Sequence, residues 1–149
     1  MSALKVLFIG GSGTISSAST RLAVERGIDL HVLNRGTSTT RPLPEGVTVL
    51  RADVRDPASM RTALAGLEFD AVVDWVAFTP DHVRADIDLF TGRTGQYVFI
   101  SSASAYQTPP AHVPVVESTP CATRTGSTRA TRSPARTCSS GPTASRASR

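Results

Sequence analysis

Residues 4–16 read LKVLFIGGSGTIS, and everything else about the fold can be read outward from them. The run Leu4–Ile9 is almost continuously apolar, which suits a strand covered on both faces of a parallel sheet. Gly10 and Gly11 close it, as a tight turn requires. From Ser16 to about Glu25, Ala18, Leu22 and Ala23 recur at helical spacing, and Gly27 supplies a stop. Asp29 to Leu33 is then a second apolar run. Strand, glycine turn, helix and strand in about 30 residues make a βαβ unit.

The same alternation continues down the chain. Val47–Leu50 reads as a third strand, and Pro57–Leu67 as a helix with proline in its first turn. Ala71–Val76 reads as a fourth strand, Pro80–Phe90 as a helix, and Gln96–Ile100 as a fifth strand entering Ser101-Ser102. Strands and helices in this order predict an α/β chain built on a Rossmann-type, doubly wound parallel sheet. Ligands of such sheets sit at the carboxyl ends of the strands. The sheet is expected to be incomplete, ending at the fifth strand with an apolar edge.

That placement gives the glycine turn its chemistry. In Gly10-Gly11-Ser12-Gly13-Thr14-Ile15-Ser16, Gly11 and Gly13 let the backbone turn sharply and approach a pyrophosphate. The amides and dipole at the helix start favour its negative charge. The third glycine of the usual spacing is replaced by Ser16. About 20 residues further on, an acid would read the ribose of NAD, and an arginine the 2′-phosphate of NADP. Asn34-Arg35 stands there, which favours NADP over NAD, unless Arg35 is simply a solvated loop residue. Asp53, in RADVRD (51–56), either accepts from an adenine amino group or is an ordinary loop aspartate.

Composition bounds the alternatives. The chain has 149 residues, 40% of them hydrophobic, enough for one domain with a real core. No apolar run approaches the roughly 20 residues of a membrane span, and no signal-peptide cleavage pattern follows the start, so the sequence reads as cytoplasmic. The net charge of +4 is unevenly distributed: residues 1–120 carry 10 Lys+Arg against 12 Asp+Glu, and residues 121–149 carry six Arg and no acid. Those last 29 residues contain no Leu, Ile, Val, Met, Phe, Tyr or Trp, and cannot bury enough apolar surface to offset their ordering entropy. The expected organisation is therefore a dinucleotide-binding domain over 1–120 and a disordered tail over 121–149. Cys121 and Cys138, both in the tail, read as incidental thiols without metal-ligand spacing. No metal site is expected, and His31, His82 and His112 have no partners at catalytic spacing.

Four motifs in order, GGSGTIS (10–16), LNRG (33–36), ADVRD (52–56) and FISSASAY (99–106), resemble the NAD-dependent epimerase/dehydratase family, the extended and atypical short-chain dehydrogenases, over about residues 3–120. The resemblance implies that Gly10, Gly11 and Gly13 form the phosphate turn and that Asp53 and Val54 contact the adenine. It places Val76, Ala77 and Phe78 beside the cofactor ribose. Ser102 matches the serine that hydrogen-bonds the substrate oxygen, although a strand-end serine satisfying local backbone fits equally well. Tyr106 matches a structural aromatic rather than the catalytic tyrosine. The implied activity is NAD(P)-dependent oxidoreduction, epimerisation or dehydration of a small, sugar-like or nucleotide-linked substrate.

The family's chemistry also needs a Tyr-x-x-x-Lys pair, in which an ammonium lowers the tyrosine pKa. This chain has two tyrosines, Tyr97 and Tyr106, and a single lysine, Lys5, so the pair is missing and catalysis should be incomplete. The tail's residue set is that of a GC-rich coding sequence read out of frame. Restoring one nucleotide before Cys121 permits LRNPYWQYSRDKIACEDL, with a tyrosine where Thr128 stands and a lysine where Arg132 stands. A frameshift is thus expected between the body and the tail. A different class of function, a nucleotide-sensing or RNA-binding relative, is suggested by the VLNRG region. The tail could contact nucleic acid only nonspecifically, through charge, because it has no aromatic residue for stacking. An inert translation product is the third possibility.

Overall fold

The structure, a computed structural model, describes residues 3–36, 41–102 and 105–121. The strands are β1 (Lys5–Ile9), β2 (Asp29–Asn34), β3 (Thr48–Arg51), β4 (Phe69–Asp74) and β5 (Thr94–Phe99), and the helices are α1 (Ser16–Glu25), α2 (Pro57–Ala63) and α3 (Pro80–Phe90). All strand pairs are parallel, in the order β3-β2-β1-β4-β5. The chain winds outward from β1 through β2 and β3, then returns past β1 to β4 and β5. The order reverses between β1 and β4, and at such a switch point the loops leaving the two strands part and open a crevice. The sequence expectation of a Rossmann-type α/β sheet is met.

Alternate residues of β1 serve the two faces. Leu7 and Ile9 join Leu33, Met60, Leu64, Phe69, Val72 and Phe90 in one core, and Val6 and Phe8 join Ala23, Leu30 and Val32 in the other. Each such side chain removed from water contributes about 1.5–3 kcal/mol, so β1, buried on both sides, anchors the sheet.

Several element ends differ from the sequence reading. α2 stops at Ala63 rather than Leu67, because the chain turns through Gly66 at φ +69°; Leu64 and Leu67 still pack on the core from the turn. β4 begins at Phe69, which pairs with Thr94, and ends at Asp74, whose side chain caps the bend that follows. The helix α1 buries Ser16, Thr20 and Ala23, whereas Ala18 and Leu22 of the expected apolar stripe face solvent.

The chain divides into two compact units, residues 1–100 and 101–149. In the second, Tyr106 and Cys121 form an antiparallel bridge, and the Gln107 amide donates to the Pro120 carbonyl at 2.9 Å. Cys121 is half-buried at this bridge. The expected disordered tail lies, apart from Cys121, outside the described residues, as do Cys138, Thr128 and Arg132.

Candidate dinucleotide site

The glycine turn is held at close quarters. The Gly10 amide donates to the Leu33 carbonyl of β2 at 2.9 Å, and the Trp75 amide donates to the Ile9 carbonyl at 3.1 Å. The turn therefore leaves the sheet between the ends of β2 and β4. Gly10 has φ +84°, and a Cβ there would lie 2.4 Å from Val76 Cγ1, so only glycine fits. A Cβ on Gly11 would meet the Val32 methyl carbons at 2.8 and 2.9 Å and Thr20 Oγ1 at 3.1 Å. This close approach explains the polar buried face of α1. The Thr20 hydroxyl donates to the Gly11 carbonyl at 2.8 Å, and Ser16 Oγ accepts from the Gly13 amide at 2.9 Å. Ser16, the departure from the three-glycine spacing, thus pins the turn. It also removes the Gly13 amide from those facing outward. The amides of Ser12, Thr14 and Ile15 have no hydrogen-bond partner among the described residues. No acidic side chain stands in the first turn of α1, so the positive end of the helix is uncompensated.

At the end of β2, Asn34 Oδ1 accepts from the Gly36 amide at 2.8 Å, and its carbonyl accepts from Ala52. Arg35 is exposed. Beside it, Arg51 of β3 pairs in register with Asn34, and its Cζ and Nε lie 3.4 Å from where a Cβ on Gly36 would stand. Arg35 and Arg51 thus both lie next to the end of β2. Arg51 was not singled out from the sequence, since its position depends on the β2–β3 register.

Asp53 is exposed, and its Oδ1 accepts from the Arg55 amide at 2.9 Å. Val54 is half-buried against the core. Arg55 reaches across to donate from Nη2 to the Val76 carbonyl at 2.8 Å. The loop after β4 is fixed from beneath by Asp74, which is fully buried. Its Oδ1 accepts from the amides of Val76 and Ala77 at 2.8 and 3.0 Å. Its Oδ2 accepts from the Tyr97 hydroxyl at 2.9 Å, and that hydroxyl is 3.4 Å from Asp86 Oδ2 on α3. Burial, with the Asp74 carboxylate next to it, pushes the Asp86 carboxyl up to about 7. Burial and the same two carboxylates push the Tyr97 phenol up. The Phe78 amide donates to His82 Nδ1 at 3.3 Å, and burial, then the Arg55 charge, lowers the His82 pKa. Ala77 is buried and Phe78 is 53% exposed. Asp74, Asp86 and Tyr97 were not identified from sequence.

Gly10 through Ile15, Asn34, Arg35, Asp53, Val54 and Val76 through Phe78 all belong to the first unit, at strand ends on one edge of the sheet. Ser102 belongs to the second unit; it is exposed, and its carbonyl accepts from the Ala105 amide at 3.0 Å.

A family model, the NAD dependent epimerase/dehydratase family, matches residues 6–131. The chain is 32% identical over 135 residues to a UDP-glucose 4-epimerase of Streptomyces lividans, covering 78% of this chain and 41% of that protein. It is 33% identical over 87 residues to an NAD(P)H azoreductase of Xenophilus azovorans, covering 58% of this chain and 30% of that one. It therefore spans well under half the length of these curated relatives. The fold is shared with the Bordetella bronchiseptica enzyme WbmG, solved in complex with NAD, at a TM-score of 0.65 and 20% identity, covering 81% of this chain and 44% of that one.

Proposed function

The chain belongs to the NAD dependent epimerase/dehydratase family, and from that premise we propose that its first unit binds a nicotinamide dinucleotide at the ends of β1, β2, β3 and β4. The observation that carries this reading is the clearance at Gly10 and Gly11, where an added Cβ would strike Val76 or Val32. The backbone is brought close at the switch point, with the Ser12, Thr14 and Ile15 amides available to a pyrophosphate. Asp53 and Val54 would flank the adenine, and Val76, Ala77 and Phe78 the ribose. Arg35, with Arg51 beside it, favours NADP over NAD, because a 2′-phosphate meets two guanidinium groups there. When bound, the nicotinamide supplies hydride transfer; this chain's residues hold and orient it.

In the intact family protein the reaction would be oxidoreduction, epimerisation or dehydration of a small, sugar-like substrate. Here Ser102 is the remnant of the catalytic set, and the absent Tyr-x-x-x-Lys pair leaves turnover incomplete. A frameshift near codon 120 accounts for the absence. Sequencing DNA across codons 115 to 125 against close relatives should reveal one missing base; an intact frame would remove this explanation.

Cofactor binding is tested by thermal unfolding of the full chain with NADPH or NADH. A ligand at about 100 times its Kd adds roughly 2.7 kcal/mol of stability. An upward shift is expected, larger with NADPH, and Arg35→Asp should reduce the NADPH advantage. A midpoint indifferent to both dinucleotides would refute the reading.

A further inference from the structure

Asp74 lies fully buried under the loop that follows β4. Its Oδ1 accepts two backbone amides and its Oδ2 accepts the Tyr97 hydroxyl, so both carboxyl oxygens are in use as acceptors. A phenol has one proton to donate, and the shorter of its two contacts, 2.9 Å, directs it at Asp74. The same hydroxyl lies 3.4 Å from Asp86 Oδ2, so two carboxyl groups face one phenol proton. The result is a chain of contacts running from α3 through β5 to the end of β4: the Tyr97 hydroxyl lies between Asp86 and Asp74, and Asp74 accepts from the Val76 and Ala77 amides.

We propose that Asp86, Tyr97 and Asp74 form a proton-held latch on the Val76–Phe78 loop, with Asp86 as a positioning residue whose ionisation loosens that loop. Without its proton, Asp86 becomes a second carboxylate competing with Asp74 for one phenol. The other charged or titratable groups facing the cluster are Arg55, from the segment after β3, and His82 and Asp81 on α3. Arg55 is the cation that acts on Asp86, and it also holds the Val76 carbonyl. An ionised Asp86 draws Tyr97 from Asp74 and Arg55 from Val76, so the two anchors of the loop weaken together. Burial places the carboxyl near neutrality, at about 7, where a modest pH change alters its state. The consequence for cofactor grip rests on the dinucleotide reading; the latch itself does not.

The test is amide hydrogen exchange on the full chain without ligand, expressed as protection factors so that the intrinsic pH dependence cancels. Protection at Val76 and Ala77 should fall about tenfold between about pH 6 and about pH 8.5, while Leu7 and Val72 keep theirs. Asp86→Asn carries a permanent N–H donor toward Tyr97 and should hold protection at both values. Equal falls in both proteins, or none in the wild type, would overturn the latch. A second measurement needs no variant: the Asp86 carboxyl carbon shift must titrate near neutrality, and titration in the ordinary carboxylate range would also overturn it. NADH and NADPH affinity, measured alongside, separates the two readings. A loop that responds to pH while neither dinucleotide binds leaves the latch standing and removes the cofactor assignment.

Discussion

Two loops flank the switch point, and they are held by opposite means. The turn after β1 is shaped by missing volume: Gly10 and Gly11 fit because no Cβ is there, and neutral hydroxyls of Ser16 and Thr20 complete it. The loop after β4 is shaped by charge, through Asp74 beneath it and Arg55 across it. The first arrangement is steric and insensitive to pH; the second depends on where one proton resides. A crevice built this way has one fixed wall and one adjustable wall.

The sharpest way to break the comparison is to fill the missing volume. Gly10→Ala places a Cβ 2.4 Å from Val76 at a positive φ, and should cost about 2–4 kcal/mol in urea unfolding. Val76→Ala in that background should recover part of the loss, since the two positions share the clash. No recovery would mean that backbone conformation, rather than volume, fixes the turn. A smaller effect is expected on the charged side. The Asp86 pKa is raised when folded, so between the unfolded value of 3.8 and about 7 the folded state holds a proton that the unfolded state has released. Stability from this group is complete below that window, falls as pH rises through it, and is flat above it. Asp86→Asn should remove that slope from the thermal midpoint; an unchanged slope would place the titration elsewhere. Smallest of all, Leu22→Ser, on the exposed face of α1, should change stability by no more than about 0.5 kcal/mol. A larger loss would restore the apolar stripe that the structure turns outward.

The steric wall was legible in the sequence because its constraint is local: three glycines and a helix start lie within seven residues. The electrostatic wall was not, since Asp74 and Tyr97 are 23 residues apart and meet only through the β4–β5 register. Arg51 escaped notice for the same reason, its neighbour Asn34 lying across a strand pair. Periodicity also misjudged α1. It counts apolar residues, but a helix that approaches a glycine turn this closely buries small hydroxyl residues, and Leu22 is too bulky for that contact. α3 was read correctly at its start because Pro80 opens the helix, next to Thr79, which accepts from the His82 amide, and both signals are written in consecutive residues.

The position of β1 at the centre of the sheet also orders events during synthesis. It emerges before the other four strands and can pair with β2 once α1 has formed, but its other edge waits for β4. About 40 residues separate the end of β2 from the end of β4, or about 2–8 s at typical ribosomal speeds. For that interval the most apolar strand of the chain has one unpaired edge on the nascent polypeptide. It is the natural point for a chaperone to bind, or for two growing chains to pair wrongly.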